Sequence, residues 1–265
     1  MKNSHSTGRL VVKDPKEIPT LVDLLRTCAE KKDIHEGERL RAQIREKGFL
    51  EKSTHLFTSL IDMYAELGIL GKALEVHDEL PIRDLDTWNA LIRGYSRQGQ
   101  GYEALKCFHR MQSDGISPDN ITFLCVLSAC GRSGLWEEAQ LLYGDMDKKF
   151  GITPMPEHHS SVVVGLGFAG QFDKATSQIK KMPCPDYPAV WHVLLGSCRK
   201  WTNVKLGKLV FDQTIQLDNT CASAYVLMAN IFAAAGMQED AENIEAMRVK
   251  TKARAQKKVG KEHLG

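Results

Sequence analysis

Residues 85–119 carry apolar and polar side chains at helical spacing, in two halves. The first half has an apolar stripe at positions i, i+3, i+4 and i+7, made of Trp88, Leu91, Ile92 and Tyr95. The second half repeats the stripe with Ala104, Leu105, Phe108 and Met111. Gly99 separates the halves, because glycine takes the positive φ that follows a helix end at little cost. One pair of helices cannot bury both stripes, so the pattern predicts similar pairs on each side.

A glycine followed five residues later by an alanine recurs along the chain. The pairs are Gly68 with Ala73, Gly99 with Ala104, Gly134 with Ala139, Gly170 with Ala175, and Gly236 with Ala241. In two degenerate copies the same places are held by Lys32 with Gly37 and by Thr202 with Gly207. A small residue at the second place lets paired helices approach closely. This period predicts an all-α fold, a right-handed α-solenoid superhelix of about seven helix-turn-helix repeats.

Charge and cysteine content narrow the class of protein only slightly. The 35 basic and 33 acidic residues give a formal net charge of +2, which is too balanced to indicate nucleic-acid binding by itself. The seven cysteines include no C-x-x-C pair, so they are predicted to be reduced core residues. No apolar run reaches membrane-spanning length, and no membrane partner is expected.

The sequence lacks a convincing catalytic or metal motif. A zinc deaminase needs H-x-E with a downstream P-C-x-x-C. The H-x-E run at His77 lies within a predicted solenoid helix, and no second cysteine follows Pro183 and Cys184 at the required place. His158 and His159 are adjacent, so their side chains diverge by about 100° on a helix and are interpreted as helix-start residues. The chain is therefore predicted to be no enzyme and to hold no metal or cofactor.

The order of motifs resembles the pentatricopeptide repeat family, in its plant subgroup of long, short and standard repeats. The motifs are DELPIRD, then TWN with GISPD, then TFLCVLSACGRSGLWEEA, then PEHHSS with AGQFDKA. VWHVLLGSCRKWTNVKLG and SAYVLMANIFAAAGMQEDAENI resemble the two extension motifs of the same subgroup. The resemblance does not extend to the terminal deaminase domain of some members.

The resemblance divides the chain into segments. The expected repeats are 18–53 (long), 54–84 (short), 85–119 (standard), 120–155 (long) and 156–186 (short). Extension motifs are expected at 187–250, a flexible segment at 1–17, and a basic tail at 251–265. The tail is open to two interpretations, a solvated helix end or an arm that contacts phosphates.

The resemblance also implies a function. Members of this subgroup bind single-stranded RNA in mitochondria or chloroplasts, commonly in support of cytidine-to-uridine editing. The implied role is a sequence-selective adaptor for RNA editing or processing, with catalysis supplied by a partner that docks on residues 187–250. The alternative is a protein-docking scaffold with little RNA binding, a reading that the near-neutral charge favours.

In this family the fifth and last residues of a repeat meet one base edge together. The resemblance therefore implies guanine for Thr58 with Asp84, uracil for Asn89 with Asp119, and guanine for Ser160 with Asp186. A hydroxyl or amide beside a carboxylate can satisfy the edge of an unstacked base. The alternative is structural, because Asp84 and Asp119 precede predicted helices as N-caps and Asn89 lies near a helix start.

Four residues depart from the family pattern. Leu124 holds a fifth place and cannot read a base edge by hydrogen bonding. Asp86 replaces the aliphatic residue that usually sandwiches the base. Gly165 and Gly167 replace larger residues and are expected to weaken their helix by about 1 kcal/mol each.

Overall fold

The computed structural model describes residues 18–49, 53–181 and 188–262. Over these residues the backbone forms fourteen α-helices and no strand. They are α1 (Ile18–Lys31), α2 (Ile34–Glu46), α3 (Thr54–Glu66), α4 (Leu70–Asp78), α5 (Leu85–Arg97), α6 (Gly101–Ser113), α7 (Asn120–Arg132), α8 (Trp136–Phe150), α9 (Pro156–Phe168), α10 (Phe172–Lys180), α11 (Pro188–Lys200), α12 (Val204–Leu217), α13 (Ala222–Ala234) and α14 (Gln238–Glu262). The prediction of an all-α chain of helical pairs is confirmed for this part of the sequence.

The helices belong to two compact units, residues 1–98 and residues 99–265. In the first unit α1 contacts α3 and α3 contacts α5, so the first helices of successive hairpins form a row. In the second unit α7, α9, α11 and α13 form a row in the same way. The other helix of a hairpin packs on this row, as α4 does on α3 and α10 on α9. Within each unit the helices therefore bury apolar side chains against their neighbours, as the sequence pattern predicts.

The turns between paired helices are built as the glycine period predicts. The five recurrent glycines all have positive φ, between 68° and 77°. Lys32 and Thr202, which replace glycine in the degenerate copies, adopt the same left-handed conformation with φ of 55° and 51°. Side chains rarely take this conformation because of steric conflict at Cβ. The repeat therefore imposes its turn even where the residue opposes it.

The second place of the repeat lies in a tight helix contact. Ala73, Ala104, Ala139 and Ala175 are at most 1% exposed. A Cβ added to Gly37 would lie 2.8 Å from the Met63 sulfur, well inside van der Waals contact. The small residue at this place is therefore buried, and at Gly37 the close contact is made with α3 of the next hairpin.

Two glycines of α9 have a packing role that helix propensity does not reveal. A Cβ on Gly165 would lie 2.8 Å from the Cα of Gly131 on α7. A Cβ on Gly167 would lie 2.6 Å from the Ser197 hydroxyl oxygen on α11. The two glycines therefore allow α9 to approach both of its neighbours. The expectation that they only weaken the helix is incomplete.

Helix α14, which contains the end of the expected extension motifs, is mostly polar. In α14 the side chains are described as far as Lys252, and among them only Ala241 is buried. Met247 and Val249 are about half exposed, at 44% and 56%. The basic tail forms part of this helix as far as Glu262, and residues 1–17 lie outside the described residues.

The described cysteines are all free thiols, and five of the six are buried. Burial raises the pKa of the Cys130 and Cys198 thiols to about 12. A thiol with so high a pKa is protonated at neutral pH and unreactive. The predicted place in the core is confirmed for these five cysteines, Cys221 is half-buried, and Cys184 lies outside the described residues.

Candidate nucleic-acid interface

The two hydroxyl residues predicted to read bases lie near the starts of α3 and α9. Thr58 Oγ1 donates a hydrogen bond to the Thr54 carbonyl oxygen at 3.1 Å. Ser160 Oγ donates in the same way to the Pro156 carbonyl oxygen at 2.8 Å. Both side chains are half-buried. Because each hydroxyl proton is used within its own helix, the oxygen lone pairs remain the groups that a ligand can use, as acceptors.

The two aspartates predicted to complete these pairs cap helices. Asp84 Oδ1 accepts from the Thr87 backbone N–H at 3.0 Å, at the start of α5. Asp119 Oδ1 accepts from the Thr122 backbone N–H at 2.8 Å, at the start of α7. In both cases the backbone N–H of the aspartate donates to the threonine hydroxyl oxygen, which completes a capping box. The structural alternative raised by the sequence is therefore correct for both residues.

Capping does not exclude contact with a base. The capping bond of Asp84 uses Oδ1, and a carboxylate has two oxygens with about four lone-pair sites. Thr58 and Asp84 lie in the same compact unit, on α3 and at the start of α5, which pack against each other. The structure thus brings the first predicted pair onto neighbouring helices.

In the second predicted pair the two residues belong to different units, and in the third pair one residue lies outside the described residues. Asn89 lies in α5 and is only 4% exposed, so a base can reach its amide only after local rearrangement. Asp119 belongs to the second unit and is half-buried. Asp186, the expected companion of Ser160, lies outside the described residues. The burial of Asn89 is a feature that the sequence pattern did not reveal.

The departures from the family pattern have structural explanations. Asp86 is exposed in the first turn of α5, where a negative charge interacts favourably with the helix dipole. Leu124 is half-buried on α7, three residues from Ile121. Ile121 is 52% exposed and holds the second place of its repeat, the place that Asp86 holds in the preceding repeat. Sequence reasoning missed Ile121, although its place in the repeat was visible.

The histidines suspected of binding metal lie in packed positions. His77 is fully buried, with its ring centroid 4.1 Å from that of Trp88. Within residues 18–49, 53–181 and 188–262, no three His, Cys, Asp or Glu side chains are grouped so that they could hold a metal ion.

His158 and His159 are the buried helix-start residues that the sequence predicts. His158 Nδ1 accepts from the Met155 backbone N–H at 3.0 Å, and its Nε2 lies 2.9 Å from the Asn120 carbonyl oxygen. Nε2 must therefore carry the proton of a neutral ring. His159 lies 3.0 Å from the Tyr143 hydroxyl. Burial, followed by the neighbouring His158, lowers the pKa of His159.

In the part of the chain that the structure describes, no helix is long and apolar enough to cross a membrane.

The chain matches the sequence models of two repeat families and of one motif. "PPR repeat family" matches residues 83–132, and "PPR repeat" matches residues 55–85 and 121–149. "E motif" matches residues 201–260. The matched stretches overlap helices α3 to α8 and α12 to α14.

Curated relatives come from Arabidopsis thaliana and carry the name pentatricopeptide repeat-containing protein. One is 34% identical over 85% of this chain and 33% of its own length. A second is 34% identical over 88% of this chain and 38% of its own length. A third, named as mitochondrial, is 34% identical over 83% of this chain and 39% of its own length. The chain thus spans less than half the length of these relatives.

Solved structures agree with these matches at the level of the fold. The pentatricopeptide repeat protein PPR10 from maize superposes with a TM-score of 0.62 at 18% identity, over 91% of this chain and 40% of its own. Its complex with an 18-nt psaJ RNA element superposes with a TM-score of 0.59 at 16% identity, over 88% of this chain and 40% of its own. The fold is an α-solenoid of helical hairpins. The chain belongs to the plant pentatricopeptide repeat family and carries an E motif.

Proposed function

We propose that this chain is a sequence-selective single-stranded RNA-binding adaptor. The observation that carries the proposal is the placement of Thr58 and Asp84 on two packed helices, α3 and α5, of one unit. The maize protein PPR10, which has the same fold, is named in complex with an RNA element, and this supports RNA as the ligand. Helical repeats of this kind read about one base per repeat through two or three side chains.

The chemistry of the pair favours guanine. The Watson–Crick edge of guanine offers two adjacent N–H donors. Thr58 has its proton engaged with the Thr54 carbonyl and offers an acceptor oxygen, and Asp84 is an acceptor when ionised. Two acceptors are the complement of those two donors. For Asn89 with Asp119 we propose uracil, and for Ser160 with Asp186 guanine, on family resemblance.

We further propose that the chain acts in organellar RNA metabolism. The E motif and the plant relatives support a role in RNA editing or processing in which another protein supplies catalysis. The name of one relative supports mitochondria as the compartment, and chloroplasts stay the alternative.

The extension region is proposed to dock that catalytic partner. Leu209 on α12 and Val226 on α13 are exposed aliphatic side chains, at 51% and 43%. Apolar side chains that stay exposed to solvent are candidates for a protein interface. Replacing both with lysine in the full chain should abolish recovery of the partner in a pull-down from the organelle. Unchanged recovery of every partner would contradict this role.

The base-reading proposal is tested by one substitution with a close control. Thr58→Asn copies the pair of Asn89 with Asp119, so preference at that base should move from guanine to uracil by about ten-fold, as expected for direct base contacts. The measurement is the affinity for two short RNAs that differ only at that base.

Ser59→Asn is the matched control for this experiment. Ser59 is the next residue of α3, is also half-buried, and donates an equivalent hydrogen bond to the His55 carbonyl at 2.8 Å. It should leave the guanine preference unchanged. Equal affinity of the wild type and Thr58→Asn for both RNAs would favour the protein-docking scaffold instead.

A further inference from the structure

An open cleft of about 370 Å³ on the first unit is lined by residues of α1, α3 and α5. Its charged lining consists of three arginines and two carboxylates: Arg26, Arg93, Arg97, Asp62 and Glu66. The Ser59 hydroxyl also contributes to the lining. Such a cleft has a net positive charge and many N–H donors, which are the groups that bind an anion.

Two of the arginines are held by carboxylates of the preceding repeat. Arg93 Nη2 donates to Asp62 Oδ1 at 2.7 Å and to Oδ2 at 3.0 Å. Arg97 forms an ion pair with Glu66 in the same direction, from α5 to α3. The third, Arg26, makes a 3.7 Å contact with Asp23 in which both side chains are about 70% exposed.

The ion-paired residues lie on the same helix faces as the proposed base-reading residues. Thr58, Asp62 and Glu66 follow one another at i, i+4 and i+8 along one face of α3. Asn89, Arg93 and Arg97 follow at the same spacing along α5. One helical turn is about 5.4 Å, so each charged pair lies about one turn or two beyond the base-reading position. An RNA strand whose bases meet Thr58 or Asn89 would carry its backbone near this cleft.

A guanidinium binds carboxylate and phosphate through the same planar fork of N–H donors. We propose that this cleft is a seat for backbone phosphates of single-stranded RNA, in which Asp62 and Glu66 hold Arg93 and Arg97 until phosphates displace them. This inference rests on the proposed function. The carboxylates compete with the RNA backbone for the two arginines. They therefore lower the affinity for every RNA sequence equally and leave sequence selection to the base contacts.

The exchange is feasible because the pairs are weak. Arg93 and Asp62 have 33% and 37% of their side chains exposed, and Arg97 and Glu66 have 51% and 46%. Ion pairs with this much solvent contact contribute little to stability. A phosphate can therefore replace the carboxylate without unfolding the repeat.

The test is the variant Asp62→Asn with Glu66→Gln, measured against short single-stranded RNAs at several salt concentrations. Its affinity should rise by about three- to thirty-fold for all sequences alike, as expected for the release of two exposed ion pairs. The slope of log affinity against log salt should stay within about 0.7 of the wild-type slope, because the bound state contacts the same phosphates once the carboxylates are displaced. The ratio of affinities for two RNAs that differ at one base should stay unchanged.

Glu75→Gln with Glu79→Gln is the matched control. Glu75 lies on α4 and Glu79 directly follows that helix. Both carboxylates pair with Arg41 of α2, outside the cleft, and their removal makes the same change in net charge. The control should bind RNA within about two-fold of the wild type. A thermal melt of each variant reports that the fold is retained.

The outcomes separate this inference from the proposed function. If the wild type binds RNA and the cleft variant gains no more affinity than the control, the phosphate seat is refuted while RNA binding stands. If no variant and no wild type binds RNA, the proposed function itself fails. As a second measurement, Arg93→Gln with Arg97→Gln should weaken binding and flatten the salt slope, and unchanged binding would also refute the seat.

Discussion

Replacing Gly165 with alanine is expected to destabilise the protein, against the rule that alanine is the better helix former. Helix propensity alone predicts a gain of about 1 kcal/mol for this change in α9. The new Cβ, however, would lie 2.8 Å from the Gly131 Cα of α7, and 3.7 Å from both the carbonyl carbon and oxygen of that residue. Carbon atoms at optimal contact are about 3.5–4.0 Å apart, so the helices must separate by about 1 Å.

The size of the loss in unfolding free energy depends on the packing contacts that this separation weakens. The two helices carry fully buried side chains, including Val126 and Leu127 on α7 and Val163 and Leu166 on α9. A gap of 0.5–1 Å forfeits about a quarter to a half of the dispersion attraction between facing atoms. Overpacking costs about 1–3 kcal/mol, and a contact with backbone atoms, which cannot turn aside, belongs to the upper part of that range, about 2–3 kcal/mol. The net loss should therefore be about 1–2 kcal/mol after the gain of about 1 kcal/mol in propensity.

Urea unfolding followed by circular dichroism measures the effect, with Gly144→Ala as the control. Gly144 is an exposed glycine within α8, and an added Cβ there would meet nothing within 4 Å. The control should gain about 0.5–1 kcal/mol in unfolding free energy, because only propensity acts. If Gly165→Ala were as stable as the wild type or more so, the close contact between α7 and α9 would be refuted.

Three further perturbations test other parts of the structure. Thr202→Gly should raise the unfolding free energy by about 1 kcal/mol, because glycine removes the strain of a φ of 51°, and a loss of stability would contradict that conformation. Asp84→Ala should lower it by about 1 kcal/mol while Asp84→Asn keeps the cap, and equal stability of both variants would argue against the capping box. The melting temperature should fall between pH 7.5 and pH 5.5, because the pKa of His159 is lowered in the folded state and the unfolded chain then binds the proton first. His159→Gln should reduce that fall, and a pH profile identical to the wild type would contradict it.

The sequence predicts the helical hairpins well because each repeat carries its own local signals. Gly68 and Gly236 predict a turn because glycine readily adopts positive φ. Lys32 and Thr202 predict one only through their place in the repeat, and they too have positive φ. These signals depend on neighbours in the chain, so no knowledge of packing was needed. The contact of Gly165 with Gly131 is different, because it depends on how two helices cross.

The candidate site was less predictable because its residues act through neighbours in other repeats. The sequence alone gives no sign that Asn89 is 4% exposed, since its amide looks like any other polar residue near a helix start. The ion pair of Asp62 with Arg93 could be predicted from the sequence, because the two residues are 31 positions apart, like Gly68 and Gly99. Aligning the repeats by their turn glycines would have brought the two charges together.

Selection of bound sequences from a random pool of single-stranded RNA tests sequence-selective binding most directly. The full chain is incubated with the pool at physiological salt, and the bound RNA is sequenced. Neighbouring repeats read neighbouring bases, so the pairs at Thr58 and Asn89 should enrich a guanine next to a uracil. The same RNA in a duplex should bind more weakly, because its base edges are paired. A bound pool with the composition of the starting pool would contradict sequence-selective RNA binding by this chain.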